Sequence, residues 1–347
     1  MPNAIVLMTA LVPTIGHKYL IDYAKNLISD SWKGKVHVIV GTMDREPVDG
    51  KLRYYSIGDT YLHDRNVVVH HLHRDVPQEP DEHPDFWNQW SRIVREFVDV
   101  QPEDYFVASE LYGMDMARVL GCKFMPCNRY RETVPVKGTD VRQNLLSNFD
   151  QILPEFQKHI RKVVTIFGAE SCGKTTMARA LANDLNGHFV PEWAREYLET
   201  VGAEVTDDRM RDIVQGQAAL QKTARNDLFN KPFVFQDTDL FSTVGYYRLW
   251  GGGTDQDLDV AEHSAKQLKS DFYIVMNDNI PFEADPLRYG GDKRESGMQY
   301  WIDLLDEFKL PYYVVKNTDW TMQYLEVCST LQHFWNKETA HICDYIR

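Results

Sequence analysis

Short apolar runs alternate along the chain with longer segments of helical periodicity. In the first half the runs occupy residues 4–8, 36–40, 67–69 and 105–108, and in the second half 163–167, 233–236, 272–276 and 312–315. Runs of this length predict buried strands, and the helical segments between them favour parallel pairing. We therefore predict an α/β fold with two parallel sheets, one in each half of the chain.

The two alternations meet between about residues 148 and 161. With 347 residues the chain is long enough for two domains that each have a hydrophobic core. We place the first domain at residues 1–155 and the second at 156–347. No strong linker marks the boundary, because residues 148–159 contain one proline and could themselves be helical.

A glycine-containing motif begins at Gly168 and has the sequence GAESCGKT, between an apolar run and a helical segment. Its glycines let successive backbone N–H groups point at phosphate oxygens. In such a loop Lys174 reaches the β and γ phosphates, and the Thr175 hydroxyl ligates Mg²⁺. A chance match in a turn is the alternative, but the strand–loop–helix context favours nucleotide binding. The residues that we predict to bind nucleotide here are Gly168, Ser171, Gly173, Lys174, Thr175 and Thr176.

A second candidate phosphate site follows the first predicted strand, where Thr14, Gly16 and His17 open a helix. An imidazole at a helix N-terminus can stabilise phosphate charge together with the helix dipole. Near the end of the first domain, Thr139 and Arg142 open another predicted helix. Thr139 could cap that helix and bond a phosphate oxygen, and Arg142 could neutralise the β and γ phosphates of ATP. Taken singly, each motif is equally compatible with a plain capped helix.

Together these two motifs resemble the signatures of the nucleotidylyltransferase superfamily, which are HxGH or TxGH near the start and SxTxxR near the end. This chain has Thr14 where many members have histidine, which removes one potential phosphate donor. The catalytic role is therefore assigned mainly to His17. The chain also has Lys137 before Gly138, where the family often has serine, which leaves the phosphate contacts open.

The combination of this domain with a GxESxGKT loop resembles the NadR type, a fusion of nicotinamide-nucleotide adenylyltransferase with ribosylnicotinamide kinase. Two further matching pieces are PEWAREY at 191–197 and Asp237-Thr238-Asp239 after the apolar run at 233–236. The resemblance implies a Rossmann-like nucleotidylyltransferase domain followed by a P-loop kinase domain. It implies that ATP and Mg²⁺ are used to phosphorylate nicotinamide riboside, and that ATP then adenylylates the mononucleotide to give NAD and pyrophosphate.

Under this resemblance the catalytic residues are His17, Lys174, Asp237, Asp239 and Glu192. Asp237 would hold Mg²⁺ together with Thr175, and one of the carboxylates would orient or deprotonate the ribose 5′-hydroxyl. The sequence does not rank the three carboxylates, although we favour Asp239 for substrate contact. In the first domain, Lys18 would help His17 to stabilise the developing charge.

A nicotinamide riboside substrate carries a cationic pyridinium ring, which aromatic faces and carboxylates would hold. The substrate-binding candidates are Trp87, Trp90, Glu192, Trp193, Arg195, Asp239, Tyr246 and Tyr247. Aromatic residues at helical spacing are, however, more often part of a core than of a ligand site. A glycine-containing basic segment carries Arg288, Lys293 and Arg294, which suit a lid over the transferring phosphoryl group but are also compatible with a solvated loop.

The charge balance of 38 basic and 51 acidic residues, net −13, argues against broad binding to nucleic acid. A DNA-binding helix-turn-helix is not expected, because the first strand begins at residue 4. The chain has no 18-residue apolar run, no signal peptide and no CxxC pair among five cysteines, so we expect a cytoplasmic protein. The expected partners are small molecules, and no membrane contact is expected. A homo-oligomer is compatible with the sequence, which does not decide the oligomeric state.

Two other functions stay open. The last two steps of coenzyme A synthesis also join a TxGH adenylyltransferase, acting on phosphopantetheine, to a P-loop kinase, but the PEWAREY segment and the Asp237 triplet weigh against it. A nucleotide sensor with reduced catalysis is the other possibility, and Thr14 and Lys137 are the features that favour it. The preference for the amide or the acid mononucleotide is not decided by the sequence.

Overall fold

The computed structural model describes residues 2–29, 34–202, 204–226, 230–250, 254–278 and 297–345, without the side chain of residue 250. The candidate lid residues Arg288, Lys293 and Arg294 lie outside the described residues. The chain divides into two compact units, Met1–His159 with Thr339–Arg347, and Ile160–Glu338. Residues 339–347 thus group with the first unit, whereas the sequence analysis assigned them to the second domain.

The described part of the first unit contains a parallel five-stranded sheet in the order β3-β2-β1-β4-β5. Its strands are β1 (Ala4–Met8), β2 (Val36–Thr42), β3 (Val67–His73), β4 (Tyr105–Ala108) and β5 (Lys123–Pro126). The helices of this half are α1 (Ile15–Leu27), α2 (Gly50–Thr60), α3 (Phe86–Phe97), α4 (Tyr112–Leu120), α5 (Gly138–Gln143) and α6 (Pro154–Ile160). Strand order reverses between β1 and β4, and crevices for ligands form at such switch points.

Alternate side chains of the central strands enter two different apolar clusters. Ile5 and Phe106 belong to a cluster with residues of α3 and α4, whereas Ala4 and Val6 belong to a cluster with residues of α1. Both faces of β1 are therefore covered, as expected for a parallel sheet between two helical layers. The sequence analysis did not predict β5, because this edge strand is short and has exposed ends with no continuous apolar run.

The described part of the second unit contains a parallel five-stranded sheet in the order β10-β9-β6-β8-β7. Its strands are β6 (Lys162–Phe167), β7 (His188–Val190), β8 (Phe233–Asp237), β9 (Phe272–Val275) and β10 (Tyr312–Val314). The helices are α7 (Lys174–Asp184), α8 (Trp193–Val201), α9 (Asp207–Asn226), α10 (Leu240–Trp250), α11 (Asp255–Gln267), α12 (Met298–Glu307) and α13 (Trp320–Cys343), whose last residues group with the first unit.

A buried aromatic group anchors the centre of this second sheet. The ring of Phe167, at the end of β6, lies edge-on to Tyr273 and Trp301 at centroid distances of 5.7 and 5.4 Å. Trp301 of α12 is fully buried. This packing fixes the end of β6, from which the glycine-containing loop at 168–173 departs. The predicted fold class, two parallel α/β sheets in succession, is confirmed.

Candidate functional sites in the two units

A cavity of about 380 Å³ opens above the glycine-containing loop in the second unit. Gly168 and Gly173 have φ angles of +128° and +86°, which residues with a Cβ atom adopt only under strain. Gly173 caps α7, so backbone N–H groups and the positive helix end converge on the cavity. Lys174 Nζ donates to the carbonyls of Gly168 and Ala169 at 3.1 and 2.6 Å, which keeps its charge at the loop.

The Thr175 hydroxyl donates to Asp237 Oδ2 at 2.5 Å on the wall of this cavity. The other oxygen, Asp237 Oδ1, is buried and has no hydrogen-bond partner within the described residues. Burial raises the pKa of Asp237, while the Thr175 hydrogen bond and Lys174 oppose that shift. Mg²⁺ binds through one or two carboxylates, a hydroxyl and substrate phosphates, so this pair and its unpartnered oxygen fit the ion.

Three carboxylates and two cations share the cavity. They are Glu170, Glu192, Asp237, Lys174 and Arg195. Burial is the main cause that raises the pKa of Glu192, and the neighbouring Asp237 raises it further. A carboxyl group with a raised pKa is suited to accept a proton near neutral pH. Together with the ring of Tyr246, which also lines the cavity, this arrangement can receive a group that is cationic at one end and bears a hydroxyl.

Asp239 lies outside the cavity, although the sequence analysis favoured it for substrate contact. It is buried, and its carboxylate accepts hydrogen bonds from the Tyr273 hydroxyl at 2.7 Å and from the Phe241 backbone N–H at 3.0 Å. Burial raises the pKa of Asp239 to about 6, against the effect of these hydrogen bonds. Strand alternation would put Asp237 and Asp239 on the same side. β8 ends at Asp237, however, and Thr238 has a φ angle of +67°, so the chain turns there and Asp237 faces the loop while Asp239 lies in the core.

Two of the predicted aromatic contacts also lie away from this cavity. Trp193 stacks on Tyr197 at a centroid distance of 4.8 Å, and its backbone N–H donates to Gln217. Tyr247 is buried and does not line the cavity. Trp320, at the start of α13, does line it, and the sequence analysis missed this residue because no local motif surrounds it.

The first unit has a cavity of about 470 Å³ whose lining includes Leu7 and Met8 from the end of β1, and Ser109 and Glu110 directly after β4. At its edge the Thr14 backbone N–H donates to His17 Nδ1 at 3.1 Å, and the Thr14 hydroxyl lies 2.8 Å from the same nitrogen. Because a backbone N–H can only donate, Nδ1 is the acceptor and the proton resides on Nε2. Burial, with a smaller effect of Arg131, lowers the pKa of His17 to about 4, so the ring is neutral.

The second motif of this unit packs directly on the first. A Cβ at Gly16 would lie 3.3 Å from the Val136 carbonyl oxygen, and a Cβ at Gly138 would lie 4.0 Å from His17 Nε2. The absence of side chains at these two positions lets the segments meet, and it leaves room beside the Nε2–H donor. Thr139 and Arg142 line the same cavity. Thr139 does not cap α5, because the N-cap residue is Lys137.

The remaining predicted residues of the first unit divide between the cavity and the surface. Trp87 and Trp90 line the cavity, and the Trp90 indole N–H donates to the Pro77 carbonyl at 2.9 Å. Lys18 does not line it and instead pairs with Asp22 at 2.5 Å. Arg131 lines the cavity and donates to the Val136 carbonyl at 3.1 Å, but its loop carries no motif that would have revealed it.

The second unit therefore has a P-loop nucleotide-binding fold, and the first has a Rossmann-like sheet with an imidazole at a helix N-terminus beside its cavity. A family model described as an AAA domain matches residues 163–322. Among the described helices, none combines the length and the apolar character that a membrane span requires.

The chain is homologous to NadR proteins over nearly its whole length. It is 22% identical over 346 residues to the trifunctional NAD biosynthesis/regulator protein NadR of Escherichia coli, an alignment that covers 93% of this chain and 81% of that protein. The protein of the same name from Salmonella typhimurium has the same identity and coverage.

Two solved structures share the fold. A crystal structure of NadR in complex with NR matches with a TM-score of 0.69 and 21% identity, covering 97% of each chain. A NadR structure in complex with NAD and AMP-PNP has the same TM-score and identity, and covers 100% of this chain and 98% of that one. These likenesses show that both units have the NadR fold.

Proposed function

We propose that this protein makes NAD from nicotinamide riboside in two ATP-dependent steps, one in each cavity. The observation that carries the proposal is the presence of two separate phosphate-suited helix starts, at Lys174 and at His17, in a chain homologous to NadR. The relatives are named as NAD biosynthesis proteins, and the matching structures hold NR, NAD and an ATP analogue.

In the second unit the proposed reaction is phosphoryl transfer to the riboside 5′-hydroxyl. The loop N–H groups and Lys174 hold the ATP phosphates, and Thr175 and Asp237 would hold Mg²⁺, which neutralises phosphate charge when bound. Glu192 accepts the hydroxyl proton as the 5′-oxygen attacks the γ phosphorus and the bond to ADP breaks. We assign this role to Glu192 rather than Asp239, because only Glu192 of the two lines the cavity.

The charge of the second cavity supports a cationic substrate. Glu170 and Glu192 add two negative charges near the Tyr246 ring. Burial is the main cause that raises the pKa of the Tyr246 hydroxyl, and each of these carboxylates raises that pKa further. A positively charged pyridinium ring relieves this repulsion, whereas a neutral base does not. Nicotinamide riboside, which has such a ring and a free 5′-hydroxyl, fits both requirements.

In the first unit the proposed reaction is adenylyl transfer. A phosphate oxygen of the mononucleotide attacks the α phosphorus of ATP, and the bond to the β-phosphate oxygen breaks to release pyrophosphate. The neutral His17 donates a hydrogen bond from Nε2 to the developing charge, while Arg142 and Thr139 contact the leaving phosphates. A neutral His17 ring can perform this role, because stabilising the developing charge requires a hydrogen-bond donor and no proton transfer. Trp87 and Trp90 offer aromatic faces for the bases.

A product assay with ATP, Mg²⁺ and nicotinamide riboside tests the proposal. We expect mononucleotide and then NAD, with Lys174→Ala abolishing only the first step and His17→Ala reducing only the second. The exposed residues Lys222 and His63 supply matched controls, and Lys222→Ala and His63→Ala should leave both steps unchanged. Turnover of phosphopantetheine without NAD formation would favour the coenzyme A alternative, and nucleotide binding without either turnover would favour the sensor.

A further inference from the structure

Arg142, a residue of the first cavity, is held by a residue 203 positions later in the chain. Arg142 Nη1 donates to the backbone carbonyl of Tyr345, and the Tyr345 ring lies over the guanidinium with its centroid 5.7 Å from Cζ. Arg142 is only 8% exposed and lines the cavity. Both residues belong to the first unit, because residues 339–347 group with it.

Tyr345 approaches Arg142 without entering the cavity. It is not among the residues that line the cavity, although Arg142 is. Of the five N–H donors of a guanidinium, the Tyr345 carbonyl accepts from one nitrogen, and the ring face uses none of them. Within the part of the chain that the structure describes, the Tyr345 carbonyl is the acceptor seen for this guanidinium, so its other donors can serve a ligand. The contact therefore restrains Arg142 without occupying its anion-binding face.

The segment that carries Tyr345 is anchored in its own right. Thr339 and Ile342 are buried, with 3% and 4% of their surface exposed. The Asp344 backbone N–H donates to the Ala340 carbonyl at 2.9 Å, which continues the hydrogen bonding of α13 to the residue before Tyr345. The long arginine side chain thus receives a hydrogen bond acceptor and a ring contact from one residue that follows a buried helix end.

We propose that Tyr345 is a positioning residue, which holds the Arg142 guanidinium at the cavity wall for the β and γ phosphates of the adenylyl donor. This inference rests on the proposed adenylyl transfer in that cavity. Holding an arginine in place before the ligand arrives removes the entropy cost of ordering it on binding. The benefit appears in the binding of a triphosphate or of pyrophosphate, and not in the binding of the mononucleotide.

The test compares steady-state kinetics of Tyr345→Ala, Tyr345→Phe and Arg142→Ala in the full chain. We expect Tyr345→Ala to raise the KM for ATP in adenylyl transfer roughly threefold to tenfold, the range for loss of a partly buried ring–guanidinium contact. Its inhibition constant for pyrophosphate should rise by the same factor, while the KM for mononucleotide and the riboside kinase step stay unchanged. Tyr345→Phe, which keeps the ring and the carbonyl, should restore both values.

A matched control is Tyr130→Ala, because Tyr130 also has a ring over an arginine, Arg129 at 5.4 Å, but is 76% exposed and does not line the cavity. It should change none of these constants. Circular dichroism and the kinase activity check that each variant folds. If Tyr345→Ala unfolds the first unit, Tyr345→Leu, which keeps an apolar side chain of similar bulk, replaces it.

Three results would overturn the inference. An unchanged KM for ATP in Tyr345→Ala, beside a raised KM in Arg142→Ala, would show that Tyr345 does not position Arg142. A lowered KM for ATP in Tyr345→Ala would show that the Tyr345 ring hinders ATP binding instead of aiding it. An equal loss of kcat with every substrate would show a merely structural role. If the wild-type protein makes no NAD, the proposed function fails separately, and the Kd for pyrophosphate in a Lys174→Ala background decides the role of Tyr345.

Discussion

The two ring nitrogens of His17 have different roles: Nδ1 accepts a hydrogen bond within the protein, and Nε2 is the donor proposed for catalysis. Substitution with asparagine or glutamine tests the two roles separately. The asparagine amide oxygen reaches the position of Nδ1, where it can accept from the Thr14 N–H, but it leaves no donor at Nε2. The glutamine amide reaches the position of Nε2 and can donate there, but it leaves Thr14 without its acceptor. We therefore expect His17→Asn to preserve stability and lose catalysis, and His17→Gln to do the opposite.

The magnitudes follow from the contacts. Loss of one donor aimed at developing charge lowers kcat by about 100-fold to 1,000-fold, which is the expected effect of His17→Asn on adenylyl transfer. Loss of the Nδ1 acceptor leaves the N–H of Thr14 unpaired, and Thr14 is 1% exposed. An unpaired buried polar group costs about 1 to 3 kcal/mol, so His17→Gln should lower the free energy of unfolding by that amount.

The assay measures kcat for adenylyl transfer at saturating ATP and mononucleotide, together with urea unfolding of each variant. His17→Gln should be at least roughly tenfold more active than His17→Asn. Because the pKa of His17 is lowered to about 4, the wild-type rate should show no inflection near pH 6.5. A more active asparagine variant, or a rate that follows a pKa near 6.5, would refute the assignment of the donor to a neutral Nε2–H.

Three further outcomes are expected. Glu192 must be deprotonated to act as a base, and burial raises its pKa. The rate of riboside phosphorylation should therefore fall as the pH drops through that raised pKa. Glu192→Gln should remove this acidic limb of the pH–rate profile. Lowering the pH from 6.5 to about 4 should reduce the free energy of unfolding of the first unit by about 3 kcal/mol through His17. The reason is that the unfolded chain binds the proton at the ordinary pKa of 6.5, whereas the folded chain binds it only near pH 4. Urea unfolding of the wild type and of His17→Asn across this pH range measures the difference. Gly113→Ala would place a Cβ 2.5 Å from the Phe124 ring and should destabilise the first unit by about 1 to 3 kcal/mol in urea unfolding, whereas Gly58→Ala, with nothing within 4 Å, should stabilise it by up to about 1 kcal/mol. Equal effects of the two glycine substitutions would contradict the packing argument.

Local chemistry explains which site residues could be predicted. The P-loop residues Ser171 to Thr176 and the pair Thr14 and His17 are consecutive or nearly so, and a strand followed by a helix dictates their arrangement. They line the cavities as a consequence of local backbone geometry. The same local reasoning missed Arg131, Trp320 and Tyr345, which reach their positions only through the packing of distant segments.

The choice among the carboxylates shows where a motif stops being informative. Asp237 and Asp239 are two residues apart, and the sequence offers no reason to prefer either for substrate contact. Only the structure shows that Asp237 faces the loop and that Asp239 accepts from Tyr273 in the core. In the same way Trp193 and Tyr247 carry aromatic rings suited to a ligand, but packing against Tyr197 and the core keeps them out of the cavity.

By itself the sequence determined the two parallel sheets with most of their strands, and the two candidate phosphate-binding loops, because hydrophobic period and backbone conformation are local properties. Only the tertiary structure decided which carboxylate faces the second cavity, which nitrogen of His17 carries the proton, and that residues 339–345 join the first unit. Those outcomes depend on which surfaces meet in space, and the contact between Arg142 and Tyr345 joins residues that no local pattern relates.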